Sequence, residues 1–348
     1  MVAIARSCAN IALIKYWGKR DTTYNLPVTG SFSLTLRELT TETAVTFDGN
    51  LEEDVLELDG ATGDARATAK VSRFLDLIRE QAGIQTRARV QSTNNFPTAS
   101  GLASSSSGFS ALALAGSTAA GLLLAPPVLS ELARRGSGSA ARSIYGGFVE
   151  MLPGIRNDGA DAIAIPSYPQ DHWDVRIVVG VTTRDRKATP STDGMETTTR
   201  TSPYYPVWVQ TQDKDLEGMK KAVAKRDIQL VGELMEHNTL KMHAAGLAAR
   251  PGVLYWNGRT VDLMHTVYAL RREGVPVYFT MDAGPHVKAF CLAQDAERVA
   301  RAMGNVDGVK ETIICSPGPG TELIEARESV LVGRGEGPMP GSVSPREA

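Results

Sequence analysis

Asn94–Gly108 reads NNFPTASGLASSSSG, a loop of small residues that opens directly into an Ala-rich, apolar run. Gly101 and Gly108 let the backbone come close to a ligand. The first N–H groups of a helix are unpaired and lie at the positive end of its dipole, so they attract phosphate oxygens. A serine-rich helix cap without a ligand is the alternative, but four serines, Ser104–Ser107, exceed what one cap needs. The segment therefore predicts a phosphate-binding loop followed by a helix from about Ser104 to Leu124.

The sequence excludes several classes of protein. The loop lacks the lysine of GxxxxGK[ST], so it is not the P-loop of nucleoside triphosphatases. A net charge of −2 gives no basic footprint for nucleic acid or for a membrane surface. At 348 residues the chain suits one large α/β domain or two moderate domains that share a cleft. Any anionic ligand must then be held by local groups.

Neither the cysteines nor the histidines indicate a metal site. Cys8, Cys291 and Cys315 are widely spaced and form no CxxC pair, so we expect buried thiols in a reducing compartment. His237 and His243 are off the i, i+4 register of a helical zinc pair. The N-terminus lacks the apolar h-region of a signal peptide, and polar residues interrupt the most apolar run. These features predict a cytoplasmic protein without a membrane span.

The order of elements predicts a mixed α/β (α+β) fold in two parts. A helix is predicted where Val71, Phe74, Leu75 and Ile78 follow the i, i+3, i+4, i+7 spacing. A helix-rich region runs from about Tyr204 to Arg272. We place the boundary near residue 185, giving an N-terminal nucleotide-binding part (1–185), a C-terminal part (186–332) and a disordered tail (333–348). The runs that predict strands are Val2–Ala5, Ile11–Ile14, Phe32–Leu36, Thr41–Phe47, Val55–Leu58, Arg87–Ser92, Phe148–Met151, Ala162–Ile165, Val175–Val181, Val277–Met281 and Thr312–Cys315.

Three further segments have residues suited to anions or to proton transfer. Ala9–Asp21 carries lysines, an arginine and two aromatics after a strand and could line an anion pocket, although taken alone a solvated strand end explains it better. In Arg134–Ser143 a Gly-Ser-Gly-Ser turn precedes Arg142, whose guanidinium can grip a carboxylate or phosphate through two hydrogen bonds; a plain helix cap is the alternative. Asp282 ends an apolar strand before Ala-Gly-Pro, where a carboxylate either starts a turn or serves as a base.

These segments together resemble the mevalonate diphosphate decarboxylases, a family of the GHMP small-molecule kinase superfamily. The resemblance runs from Ala9 to about Gly320. The resemblance is specific because four motif strings occur in the same order as in the family, whereas the Gly/Ser loop alone would identify only the superfamily. The strings are ANIALIKYWGKRD (Ala9–Asp21), NNFPTASGLASSSSG (Asn94–Gly108), RRGSGSAARSIYGGF (Arg134–Phe148) and MDAGPHVK (Met281–Lys288).

The resemblance implies a GHMP-kinase-like fold with the active site in the cleft between its two parts. Family members use ATP and Mg²⁺ to phosphorylate the tertiary C3 hydroxyl of mevalonate 5-diphosphate, then release phosphate and CO2 to give isopentenyl diphosphate. Family members are often dimers, so a homodimer is expected. By motif, Asp282 lies beside the C3 hydroxyl with Lys19 near by to keep it ionised, and Arg142 grips the carboxylate. The remaining contacts implied are Ser137 and Ser139 along the substrate, Tyr16, Lys19 and Ser191 at its 5-phosphate end, Ser100, Gly101 and Ser104, Ser105, Ser106 and Ser107 around the triphosphate, and Asn94 with Asn95 near adenine.

Two departures from the family pattern concern the substrate. His286 stands where the family string has Asn, and Thr192 stands where many bacterial members carry an arginine that reaches the distal phosphate. A decarboxylase acting on mevalonate 5-phosphate is therefore an alternative. A mevalonate 3-kinase or a non-catalytic sensor on the same fold is disfavoured by the presence of both Asp282 and Arg142.

Overall fold

The protein was analysed as a computed structural model that describes residues 1–96, 102–185 and 187–327. The mixed α/β class predicted from the sequence is confirmed.

The N-terminal elements are β1 (Val2–Ile14), β2 (Lys19–Asp21), β3 (Leu26–Pro27), β4 (Ser31–Phe47), β5 (Val55–Leu58), β6 (Ala61–Thr62), α1 (Ala65–Ala82), β7 (Ala88–Asn94), α2 (Ser104–Ala119), α3 (Pro126–Gly136), α4 (Ala140–Ser143), β8 (Phe148–Met151) and β9 (Ala164–Tyr168). The C-terminal elements are β10 (Val175–Val181), α5 (Ser191–Thr201), α6 (Tyr205–Lys225), α7 (Ile228–Leu247), α8 (Gly258–Arg272), β11 (Val277–Thr280), β12 (Val287–Leu292), α9 (Ala296–Gly304), β13 (Glu311–Cys315) and β14 (Glu322–Arg327).

Within the described residues, eight strands form the first sheet, in the order β14-β1-β4-β7-β5-β6, with β8 paired to β4 and β9 to β8. β1 and β4 are each continuous where the sequence predicted two short strands. Polar residues interrupt the apolar pattern there, but the fold satisfies them: the Ser7 hydroxyl lies 2.7 Å from that of Ser110 on α2. The register of β1 against β4 shifts between Cys8 and Asn10, which absorbs the irregularity.

Helices α1 and α2 cover this sheet. Phe74 and Ile78 of α1 are buried, as the spacing predicted, and the Phe74 ring packs edge-to-face on Phe109 of α2 at 5.3 Å between centroids. α2 is buried on most sides, which its small residues allow. It ends at Ala119 rather than Leu124, because Gly121 adopts a positive φ of 81° that a helix does not accommodate.

Four described strands form the second, antiparallel sheet, in the order β11-β12-β10-β13. α8 and α9 pack on one of its faces through a cluster that includes Leu263 and Met303. A different cluster joins its other face to α6, α7 and the first sheet, and this cluster contains Phe290 of β12 and Leu34 of β4. A shared apolar core thus holds the two sheets together.

The domain boundary near residue 185 stays a prediction. β10, before that boundary, pairs within the second sheet, whereas β14 near the C-terminus returns to pair with β1 of the first. The predicted tail, 333–348, lies outside the described residues. No helix in the described part of the chain combines the length and apolarity needed to cross a membrane.

Candidate active site

Asp282 lies in the turn that joins β11 to β12, and two helices hold that turn. Thr239 of α7 donates its hydroxyl to the carbonyl of Met281 at 2.7 Å and accepts the Met281 N–H at 3.1 Å. Thr260 of α8 donates to the Pro285 carbonyl at 2.6 Å. Because the turn is fixed on both sides of Asp282, its carboxylate is presented from a rigid support.

Two lysines contact the Asp282 carboxylate. Lys15 Nζ lies 2.7 Å from Oδ1 and Lys288 Nζ lies 3.3 Å from Oδ2, while the Asp282 side chain stays 23% exposed. Burial by itself raises the pKa of Asp282, but the charges of Lys15 and Lys288 outweigh it and hold this pKa well below its usual value. The carboxylate is therefore ionised at neutral pH, as the sequence predicted, although the cations in contact with it are Lys15 and Lys288 rather than Lys19.

Lys15 joins the first sheet to the C-terminal helices. It follows β1, and its backbone N–H donates to Asn238 of α7 at 2.8 Å, while its carbonyl accepts from Gln212 of α6 at 2.7 Å. Its ammonium also donates to the Ala12 carbonyl. Burial lowers the pKa of Lys15 to about 8, with Asp282 acting in the opposite direction. Both ends of this residue are thus fixed before any ligand binds.

Arg142 is a buried cation whose described hydrogen bonds go to neutral oxygens. Its guanidinium donates to Asn10 Oδ1 at 3.1 and 3.3 Å and to the Ser31 hydroxyl at 2.6 Å. Burial lowers the pKa of Arg142 to about 10, and Asp282 opposes that shift. Asn10 in turn donates to Ser139 and Ser143, which ties α4 to β1. A buried guanidinium held in this way is suited to an incoming carboxylate or phosphate.

Tyr16, Ser137 and Ser139 lie beside this arginine. The Tyr16 ring packs against Gly138, where an added Cβ would come within 2.4 Å of the phenol oxygen, so only glycine fits between the two serines. Burial raises the pKa of Tyr16. Ser137 Oγ lies 3.3 Å from Ser105 Oγ at the start of α2 and 3.5 Å from Ser139 Oγ. The predicted substrate and phosphate segments therefore meet at Ser137.

The four serines at the start of α2 have different surroundings. Ser106 donates to the Ala103 carbonyl at 2.7 Å, Ser107 Oγ lies 2.6 Å from Thr41 Oγ1, and both serines are fully buried. Ser105 is exposed and Ser104 is half-buried. The hydroxyls of Ser106 and Ser107 thus help to hold the helix in the fold, and the expectation that all four serines cradle a triphosphate stays a prediction. Ser100 and Gly101, also predicted for that site, lie outside the described residues.

Ser191 is the first residue of α5. Lys187, which the sequence analysis did not single out, donates to Ser191 Oγ at 2.6 Å and to the Ala283 carbonyl at 2.9 Å. Burial lowers the pKa of Lys187 to about 8, while Asp282 raises it. Lys187 therefore connects Ser191 with the Asp282 turn. A lysine two residues after Arg184-Asp185 gave no pattern that sequence reasoning could use.

A group of cations, here called the cationic rim, lies along α1 and β2. It consists of Lys19, Arg66, Lys70 and Arg73. Desolvation and, after it, the charges of Lys19, Arg66 and Arg73 lower the pKa of Lys70 to about 8. Burial also lowers the pKa of Lys19, against the attraction of Glu196 on α5. Arg66 Nη2 lies 3.7 Å from Asp193 Oδ1, so the rim reaches α5 beside Thr192.

Asn94 and Asn95 border a surface cavity of about 380 Å³, which Arg184 and Glu311 close on the other side. Thr41 donates to Asn94 Oδ1 at 2.6 Å, and Asn95 donates to the Glu38 carbonyl at 3.0 Å. The predicted position for adenine thus adjoins a cavity.

Two family models match the chain. The Diphosphomevalonate decarboxylase-like N-terminal domain matches residues 7–164, and the Mevalonate 5-diphosphate decarboxylase C-terminal domain matches residues 177–327. The diphosphomevalonate decarboxylase of Candida albicans is 35% identical over 322 residues, which cover 86% of this chain and 88% of the fungal protein.

Solved structures agree with these matches. The mevalonate diphosphate decarboxylase from Staphylococcus aureus is 38% identical with a TM-score of 0.88, covering 93% of this chain and 98% of that one. A complex of MDDEF with MVAPP, AMPPCP and magnesium is 40% identical with a TM-score of 0.87, covering 94% of this chain and 99% of that one.

Proposed function

Since the chain belongs to the mevalonate 5-diphosphate decarboxylase family, we propose that it uses ATP to convert mevalonate 5-diphosphate into isopentenyl diphosphate, ADP, phosphate and CO2. This reaction belongs to isoprenoid biosynthesis by the mevalonate pathway. One observation carries the proposal: an ionised carboxylate, Asp282, lies close enough to a buried guanidinium with neutral hydrogen-bond partners, Arg142, that its charge opposes the lowering of the pKa of Arg142 by burial.

Arg142 binds the substrate carboxylate in this proposal. Its hydrogen bonds to Asn10 and Ser31 fix the plane of the guanidinium, so it can offer two parallel N–H groups to a carboxylate. Holding that group still while charge develops at C3 favours the loss of CO2. Ser137 and Ser139 line the substrate. Tyr16, Lys19 and Ser191 take its phosphorylated end.

Asp282 accepts the hydrogen bond of the C3 hydroxyl. Two lysines keep its carboxylate ionised, so it can orient the hydroxyl oxygen toward the γ-phosphate. A carboxylate with so low a pKa holds a proton weakly. We therefore propose that the hydroxyl proton moves to Asp282 only as the new P–O bond forms and the bond from the γ-phosphorus to the leaving oxygen of ADP breaks.

ATP lies with its phosphates at the start of α2 and its adenine near Asn94 in this proposal. The N-cap residue of α2 is Ala103, whose side chain makes no capping hydrogen bond, and the positive end of the helix dipole attracts phosphate oxygens. In the described residues no group of three or more His, Cys, Asp or Glu side chains is placed to hold a metal. A magnesium ion, which is present in the MDDEF complex, would neutralise phosphate charge here, and we propose the exposed Ser105 hydroxyl as a contact to it or to the phosphates.

We also propose a cytoplasmic homodimer. The three cysteines are buried free thiols, which supports a reducing compartment. The dimer rests on the family resemblance alone.

The reaction is tested by measuring ADP and CO2 from purified protein given ATP, Mg²⁺ and mevalonate 5-diphosphate. Equal amounts of the two products are expected. ADP without CO2 would identify a kinase, and neither product would identify a sensor, so either result would overturn the proposal. Parallel assays with mevalonate 5-phosphate decide between the two phosphorylated substrates.

A further inference from the structure

Lys288 lies at a buried position of β12 in the second sheet, where an apolar side chain is expected. β12 is an inner strand between β11 and β10. Successive side chains of a strand point to opposite faces. Val287, Ala289 and Cys291 belong to the cluster beneath α8 and α9, while Phe290 belongs to the cluster shared with the first sheet. Lys288 lies on the same face as Phe290 and is completely buried.

Burying an ammonium group here is costly. Removing a charge from water costs several kcal/mol, and a well-packed apolar residue in place of a buried ion pair is often neutral or stabilising. The two sheets already share an apolar core at this face. Packing alone therefore does not account for a lysine, and its contact with Asp282 points to the reason for it.

With Lys288, each oxygen of the Asp282 carboxylate has a lysine next to it. Lys15 donates a hydrogen bond to Oδ1 at 2.7 Å, and Lys288 Nζ forms an ion pair with Oδ2 at 3.3 Å. Rotation of an aspartate carboxylate about its last torsion is soft, with broad preferences. One ammonium contact would leave that rotation open, whereas contacts on both oxygens, from elements on opposite sides, fix the plane of the carboxylate.

Other charged or titratable groups also face Asp282, and any pH effect must be separated from theirs. They are Arg142 of α4, Lys187 before α5 and His243 of α7. Only Lys15 and Lys288 are ion-paired to Asp282 in the described residues.

We infer that Lys288 is a positioning residue for phosphoryl transfer, holding the second oxygen of Asp282 so that the carboxylate meets the substrate hydroxyl in a single orientation. This rests on the proposed function, in which Asp282 accepts that hydroxyl. Lys288 acts through Asp282 and from within the sheet. Its removal should therefore affect turnover more than binding.

The test is Lys288→Met, which keeps length and removes charge. We expect kcat to fall by about tenfold or more while KM for ATP and for substrate stays within about threefold, because misplacing a reacting group penalises the chemical step. The acid limb of the kcat–pH profile should move to higher pH, and Tm should stay equal or rise. Lys220→Met, which removes a part-buried lysine paired with Glu150 of β8, is the control and should keep wild-type kcat, KM values and pH profile, while loss of a partner of the buried Glu150 should lower its Tm.

A readout independent of turnover is the titration of the Asp282 carboxyl carbon by NMR in ¹³C-aspartate-labelled protein, assigned with Asp282→Asn. Its midpoint should rise in Lys288→Met and not in Lys220→Met. Wild-type kcat with an unmoved midpoint would overturn the inference, and so would a joint loss of Tm and kcat with an unmoved midpoint. If wild-type protein failed to decarboxylate mevalonate 5-diphosphate, the proposed function would fall, while the NMR midpoints would still decide whether Lys288 controls Asp282.

Discussion

At the scale of single residues, the motif strings singled out Asp282, Arg142 and Tyr16, because each stands near the end of a strand or near a glycine turn, and their roles stay predictions. The motif strings gave less information about which side chains form ion pairs with one another. Lys15 and Lys288 lie within quoted motifs, yet nothing in the sequence says that strands far apart in the chain bring both to one carboxylate. Ion pairs between distant residues depend on the sheet register, which the strand patterns left open.

Arg142 offers the sharpest test at this scale. In Arg142→Lys one ammonium replaces a guanidinium that makes hydrogen bonds to Asn10 and Ser31. An ammonium cannot donate two parallel hydrogen bonds to the substrate carboxylate, as a guanidinium can. We expect kcat/KM for the proposed substrate to fall by about 10²-fold, since charge-assisted hydrogen bonds are worth about 1.5–3 kcal/mol each. Steady-state kinetics measure this.

Arg135→Lys is the matched control. Arg135 is half-buried on α3 and its guanidinium lies 5.2 Å from the centre of the Tyr24 ring, a contact that a lysine can also make. Its kinetics should match wild type. Equal activity of Arg142→Lys and Arg135→Lys would remove Arg142 from the site.

At the scale of elements, apolar periodicity predicted α1 and most strands of the first sheet, but several elements were not predicted, among them β6, β12, β14 and α5. β14, ELIEAR, is a largely exposed edge strand with charged residues at both ends, so it has no apolar stripe. α5 is rich in threonine and buries only Gly194, Met195 and Thr198. Packing against neighbours, rather than intrinsic propensity, stabilises such elements.

The start of α2 predicts different consequences for adjacent serines. Ser105→Ala should raise KM for ATP with little change in stability, because its hydroxyl is exposed. Ser106→Ala should cost about 1–3 kcal/mol in unfolding free energy, since it leaves the Asn10 N–H without the hydroxyl that it contacts in the interior. Urea unfolding and ATP kinetics on both variants check this. An ATP effect confined to Ser106→Ala would contradict the assignment of Ser105.

At the scale of the whole molecule, an apolar core shared by the two sheets fixes β1 relative to the β11–β12 turn. β14, near the C-terminus, also pairs with β1. The site is built from residues far apart in the sequence, such as Lys15 and Asp282. Long-range strand pairing of this kind is poorly specified by local sequence. It also places α1 of the N-terminal part within reach of α5 in the C-terminal part.

The contact between α1 and α5 bears on the number of phosphates in the substrate. Thr192 lacks the cation that the resemblance led us to expect, and Asp193 beside it would repel a distal phosphate. In the structure, however, Arg66 lies 3.7 Å from Asp193, and Lys19, Lys70 and Arg73 complete the rim. We therefore predict that Arg66 offsets Asp193 and supplies the missing cation from the opposite side.

Arg66→Ala should then lower kcat/KM for mevalonate 5-diphosphate by about tenfold and change that for mevalonate 5-phosphate little, because only the diphosphate carries charge out to the rim. Adding Thr192→Arg to this variant should restore the preference. Arg298→Ala removes a comparably exposed arginine, paired with Glu273 on the far side of the second sheet, and should leave the ratio of the two kcat/KM values unchanged. An equal loss for both substrates in Arg66→Ala would show that the rim does not distinguish them, and the diphosphate preference would then have to come from Tyr16 and Lys19.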